Sequence, residues 1–223
     1  MQRTLLSTAP LLIGLIAGGS LEVQDQGAWA GIERVKVRWD AGDVTVDAQP
    51  SALVRAHSLA WGPEASVAYE ARRDGEILFL ELQCRTPAPC GSDLELSLPP
   101  GVSLELDLGE GLARIHGAVG DASVIVGSGS IEAYGLTASE AVLQVVDGSI
   151  SALWADVPSR VVVATVSGDV ELRLPRADYA LEDQLDHSTM VGMQPVQGAA
   201  SRIQVTAVQG HATIYGVRAV AEL

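Results

Sequence analysis

Residues 124–152 read VIVGSGSIEAYGLTASEAVLQVVDGSISA, and twice within them apolar residues alternate with other residues on either side of a glycine. Counted from Gly129, Val124 and Val126 lie five and three residues before it; Ile131 and Ala133 lie two and four after it. The same four offsets give Leu143, Val145, Ile150 and Ala152 around Gly148, and Leu106, Leu108, Ala113 and Ile115 around Gly111. They give Val163, Thr165, Val170 and Leu172 around Gly168, Val205, Ala207, Ala212 and Ile214 around Gly210, and Val37, Trp39, Val44 and Val46 around Gly42. Of these 24 positions 23 are apolar, Thr165 being the exception, in a chain that is 48% hydrophobic. The coincidence is far beyond composition.

Alternation with period two predicts strands. Each unit is expected to be two short strands joined by a turn, with glycine at the turn because it enters positive φ without steric cost. Ser128, Ser130, Asp147, Ser149, Ser167 and Asp169 beside these glycines suit the same turns. The spacings from Gly111 to Gly129, Gly148 and Gly168 are 18, 19 and 20 residues. A nearly constant period predicts coils stacked along an axis, each burying its inward residues on the last. The expected fold is all-β: a parallel β-solenoid of ~20-residue coils with an irregular N-terminal β cap. A sandwich or barrel is the competing architecture.

The frame is not uniform along the chain. Residues 31–98 are expected to be the irregular cap or a distorted first coil, with strand-like runs at 52–58, 66–72 and 76–83. Asp74-Gly75 marks a two-residue hairpin there. A cap is needed because an end coil otherwise exposes an apolar face and unpaired edge groups. Pro99-Pro100-Gly101 is a firm stop. The regular solenoid is expected over 99–223, with one degenerate coil near 176–200, since Gly168 and Gly210 stand about two periods apart. The last good coil is 202–216.

Residues 1–30 read as a signal peptide followed by a polar joint. A short basic start, Met1-Gln2-Arg3, precedes an apolar core over 5–18 that is too short for a comfortable membrane span. Ala17-Gly18-Gly19 and Ala28-Trp29-Ala30 are two small-residue cleavage sites; an uncleaved anchor is the alternative, and would be the chain's one attachment to a membrane. Either way the body faces an exported compartment: periplasmic, cell-surface or extracellular. Cys84 and Cys90, separated by Arg-Thr-Pro-Ala-Pro, then most simply close a small loop as a disulfide. A redox or metal pair would call for C-x-x-C spacing or nearby Cys/His partners, and neither is present.

Charge narrows the partners. Lys+Arg 14 against Asp+Glu 28 gives 14 − 28 = −14, which argues against nucleic acid and against electrostatic binding to anionic lipid. For chemistry, the outward positions Glu132, Ser151, Glu171 and Thr213, with Arg114, would stack in register and put Glu132 and Glu171 about two strand spacings apart, roughly 10 Å. Inverting glycoside chemistry tolerates such a distance. An ordinary solvated strand face is the simpler reading. Asp43, Asp147 and Asp169 suit local backbone hydrogen bonds better than calcium, because the nine-residue glycine–aspartate repeat is absent. His57, His116, His187 and His211 are scattered. No nucleophile-elbow, phosphate-loop or dinucleotide motif occurs. No catalytic residue, metal ligand or cofactor site is therefore expected. Outward Ile125, Val162 and Ala164 form a possible interaction strip, unless a loop covers them.

The run LELSLPPGVSLELDLGEGLARIHGAVG, with VIVGSGSIEAYG and VVVATVSGDVELRLP, resembles the bacterial putative-adhesin domain family of unknown function. The likeness spans about residues 31–216, and its turn signature is best matched at residues 165–172. It implies an exported β-solenoid and supplies no catalytic residue. The expected function is a non-enzymatic, adhesin-like binding or scaffolding protein of the cell envelope with an unknown surface partner. A polysaccharide-active β-helix enzyme and a self-assembling structural stack are the alternatives.

Overall fold

The computed structural model describes residues 27–61, 67–85, 90–183 and 188–218. Residues 1–26, with the signal-peptide core, and His187 lie outside the described residues, whereas residues 27–30, expected in the polar joint, form a strand of the sheet. Every regular element among the described residues is a strand: β1 Gly27–Ala30, β2 Arg34–Ala41, β3 Val44–Ala48, β4 Leu53–Trp61, β5 Val67–Asp74, β6 Ile77–Cys84, β7 Gly91–Leu98, β8 Ser103–His116, β9 Ala122–Leu136, β10 Glu140–Trp154, β11 Arg160–Ser167, β12 Val170–Pro175, β13 Tyr179–Asp183, β14 Ser188–Val191, β15 Ser201–Gln209 and β16 Ala212–Val217. They form one mixed sheet that is not closed on itself.

The repeat frame explains the sheet. All 24 frame positions are buried, Val37 at 3% exposure and Ala207 at 4% being among the least enclosed. Val126, Val145 and Thr165 are register partners on successive strands, as are Ile131 and Ile150. Each buried Val, Leu or Ile contributes about 1.5–3 kcal/mol by leaving water. Thr165, the one polar frame residue, is 2% exposed and donates its hydroxyl to the Gly148 carbonyl at 3.2 Å. A hydroxyl so paired is tolerated in an apolar column.

The glycines do not sit in tight turns. β8, β9 and β10 run unbroken through Gly111, Gly129 and Gly148, and each pairs with the same neighbour on both sides of its glycine. The chain bends there without ending the strand. Two physical reasons select glycine. Gly129 and Gly148 have φ of 137° and 141°, closed to L side chains. A Cβ on Gly148 would also lie 1.5 Å from the Gly129 carbonyl oxygen, and one on Gly129 would lie 1.9 Å from that of Gly111. The column is backbone stacked on backbone, and a side chain has no room in it.

From the glycine bend two courses of strands diverge. One runs β5–β6–β2–β8–β9–β10–β11–β15–β13, the other β1–β4–β7–β3–β8–β9–β10–β12–β16–β14. All pairings among β8 to β16 are parallel, and the register shifts once, between Leu153 and Trp154 on the β9–β10 pair. The buried residues of both courses join in one core.

Layer order departs from chain order at both ends. The degenerate segment expected between Gly168 and Gly210 does not lie between them. β15 and β16 pair directly with β11 and β12, and β13 and β14 stand outside them. At the other end β2 and β3 are held between β8 on one side and β6 and β7 on the other. Beyond these, β5 closes on β6, β4 on β7 and β1 on β4, all antiparallel. The β5–β6 hairpin turns at Gly75-Glu76, one residue later than the Asp74-Gly75 expectation; Gly75 has φ of 59°, which suits the first position of a two-residue turn. Cys84 and Cys90 form a disulfide joining the end of β6 to the residue before β7.

Candidate interaction face

The second course carries two rows of outward side chains, three and five residues after each glycine. Inward neighbours such as Ile131, Ala133, Ile150 and Ala152 are buried, so the residues between and after them point outward. The inner of the two rows runs Thr45, Arg114, Glu132, Ser151, Glu171, Thr213, Thr189. The outer row runs Asp47, His116, Tyr134, Leu153, Arg173, Tyr215, Val191.

The inner row holds the expected carboxylates. Glu132 and Glu171 stand on either side of Ser151, two strand spacings apart. Each has its own arginine. Arg114 Nε lies 3.5 Å from Glu132 Oε2, and its Nη1 lies 3.8 Å from Asp43 Oδ2. Arg173 Nη2 pairs with Glu171 Oε1. The outer row includes four flat groups: the His116 and Tyr134 rings stack with centroids 6.0 Å apart, and the Arg173 guanidinium lies 6.0 Å from the Tyr215 ring centroid. His116 Nδ1 is 3.0 Å from Asp47 Oδ1. Charges on this face therefore meet partners on the same face.

Two of the three corner aspartates, Asp43 and Asp169, act across layers, not locally as expected. Asp43 Oδ1 accepts the Leu112 amide at 3.1 Å, and Asp169 Oδ1 accepts the His211 amide at 2.9 Å. Each satisfies a backbone donor beside the next glycine bend. Among the described residues no group of three or more His, Cys, Asp or Glu is placed to hold a metal ion. His57 is opposite Glu95 on the β4–β7 pair, and its Nδ1 is buried without a hydrogen-bond partner.

The apolar strip lies on the other course. Ile125 is 41% exposed, while Val162 and Ala164 are half-buried. Gln144 stands between Ile125 and Ala164, and Val142 is the direct neighbour of Val162, so the strip is two short apolar patches rather than one row. Two shallow depressions open there. One of about 210 Å³ involves Arg34, Glu105, Glu140 and Val142; the other, about 170 Å³, involves Arg160, Val162, Glu182 and Arg202. A more exposed apolar ladder went unread: Val146, Val166 and Val208 precede Gly148, Gly168 and Gly210 by two residues and are 54%, 48% and 67% exposed. The frame contained the signal at the −2 offset, as it contained the aromatic row at +5.

No family model matches the chain, and no curated protein matches it in sequence. Solved structures do. A putative cell adhesion protein from Clostridium sporogenes is similar at 10% identity and a TM-score of 0.43, over 87% of this chain and 100% of that one. A putative adhesin from Bacteroides fragilis is similar at 12% identity and a TM-score of 0.44, over 87% of this chain and 97% of the other.

Proposed function

We propose that this protein is an exported, non-enzymatic β-solenoid that binds or scaffolds a partner in the cell envelope, with residues 31–98 as its cap. The observation that carries this reading is the outward face of the second course: open, running over successive parallel layers, with its acids and bases paired to each other. A hydrolase working through Glu132 and Glu171 needs a proton donor and a base free to act on substrate in a cleft. These two carboxylates are held by Arg114 and Arg173 on an open surface. The in-register parallel layers, with one glycine column through them, support the solenoid. The disulfide supports an oxidising compartment.

The test is direct. Purified, labelled chain is titrated onto isolated bacterial envelope fractions, and the same preparation is assayed for reducing-end release from a panel of polysaccharides. Saturable envelope binding without release is expected. Release of reducing ends, abolished by Glu132→Gln or Glu171→Gln, would replace this reading with the enzyme.

A further inference from the structure

The rows beside the glycine column have a spacing and chemistry that fit a particular ligand class. We infer that the outward face formed by His116, Tyr134, Leu153, Arg173 and Tyr215 binds an uncharged, linear, β-linked glycan laid along the stacking direction. The inference rests on the binding function proposed above and names its ligand.

Three observations carry it. The first is spacing. Successive layers are separated by ~4.8 Å, so Tyr134 and Tyr215, three layers apart, are separated by about 14 Å. A pyranose unit of an extended glycan advances its chain by close to one layer, so consecutive sugars meet equivalent positions of the row. The second is the division of labour between rows. Half-buried Tyr134 and Tyr215, with the Arg173 guanidinium lying 6.0 Å from the Tyr215 ring, put flat groups at three of four consecutive layers, Leu153 filling the other. Such groups receive the C–H faces of sugars. The inner row alongside offers hydroxyls from Ser151, Thr213 and Thr189 and carboxylate oxygens from Glu132 and Glu171, acceptors and donors for sugar hydroxyls. The third is charge. Arg114 is shared between Asp43 and Glu132, Arg173 is on Glu171 and His116 is on Asp47, so each of these three basic groups already faces an acid. The net charge of −14 disfavours a polyanion. An open face suits an extended polymer better than a small molecule, which needs enclosure.

Oxidised full-length protein is titrated calorimetrically with cellohexaose, chitohexaose and hexagalacturonate. At least one of the two neutral hexasaccharides is expected to bind, and hexagalacturonate at least tenfold more weakly. The double variant Tyr134→Ala/Tyr215→Ala is expected to weaken neutral-glycan binding at least tenfold, with its circular dichroism spectrum unchanged. Leu153→Asp, which places a charge at mid-row without opening a cavity, is expected to do the same. Glu70→Gln on β5, an exposed residue of the other course, is expected to change nothing. The inference is overturned if none of the three binds at millimolar concentration, if hexagalacturonate binds most tightly, or if the row variants bind like the parent. Envelope binding that survives both row variants would overturn this site while leaving the broader binding function standing.

Discussion

The two ends of the sheet solve the same problem differently. At one end the outermost parallel layer is β6 and β7, and antiparallel strands finish it: β5 along β6, then β4 and β1 along β7. Its inward residues Leu78, Leu80, Leu82, Leu94, Leu96 and Leu98 are all at or below 1% exposure. At the other end β13 and β14 are parallel, five and four residues long, and lie on the outside of their course. Tyr179 is fully enclosed there, yet Leu181 and Met190 are only partly covered. The first end is covered by added antiparallel strands; the second is protected by being short. Both devices discourage edge-to-edge pairing. The difference teaches that stability is expected to be asymmetric, high through the β6–β7 layer and lower in the β13–β14 layer.

Substitutions at the glycine bends should expose the largest contrast. Gly148→Ala, with φ of 141° and a carbonyl 1.5 Å from the new Cβ, is expected to cost more than about 3 kcal/mol in urea unfolding. Gly192→Ala, in the outer layer, meets its nearest carbonyl at 3.2 Å and is expected to cost about 1 kcal/mol. Core truncations come next. Leu80→Ala should cost about 3 kcal/mol, whereas Met190→Ala should cost under about 1 kcal/mol; equal values would abolish the asymmetry.

Alkali should single out the β13 end. Burial pushes the Tyr179 phenol up to about 12 from 10.0, and its hydroxyl donates to the Pro175 carbonyl at 2.8 Å. The folded state thus holds this proton longer than the unfolded state. Its contribution is complete below pH 10 and is lost as pH rises from 10 to about 12, a fall of about 2–3 kcal/mol. Tyr179→Phe should flatten that part of the stability–pH curve. At the opposite end the Cys84–Cys90 bridge closes a loop with a sequence separation of 6 residues, so its reduction should cost about 2 kcal/mol. A thiol count on non-reduced, exported protein is expected to find no free thiol.

The six-glycine frame was legible because each layer repeats the same demand: inward side chains at four offsets and no side chain at the bend. Layer order was not legible, for the same reason. Val205 and Ile214 fit beside Val163 and Leu172 as well as they would beside any other layer, so the pattern cannot announce that β15 and β16 slip in ahead of β13. The face was half legible. Glu132, Ser151, Glu171 and Thr213 were read from the +3 offset; Tyr134 and Tyr215 at +5 were passed over, because neither looks unusual until the register puts them in one row. The aspartates were misjudged because Asp43 reaches Leu112, 69 residues onward, and short-range turn rules do not see that far.

The tucked-in order of layers has a mechanical consequence. Past the four residues of β1, a pull on the amino end loads β2, which is hydrogen-bonded along both of its edges, to β6 and to β8. A pull on the carboxyl end loads β16, gripped between β12 and β14. Each of these strands sits in a slot, so freeing either one breaks two ladders of hydrogen bonds instead of one. Once β1 has come away, tension at either end therefore meets a strand held along both edges while β5, β13 and β14 are still in place.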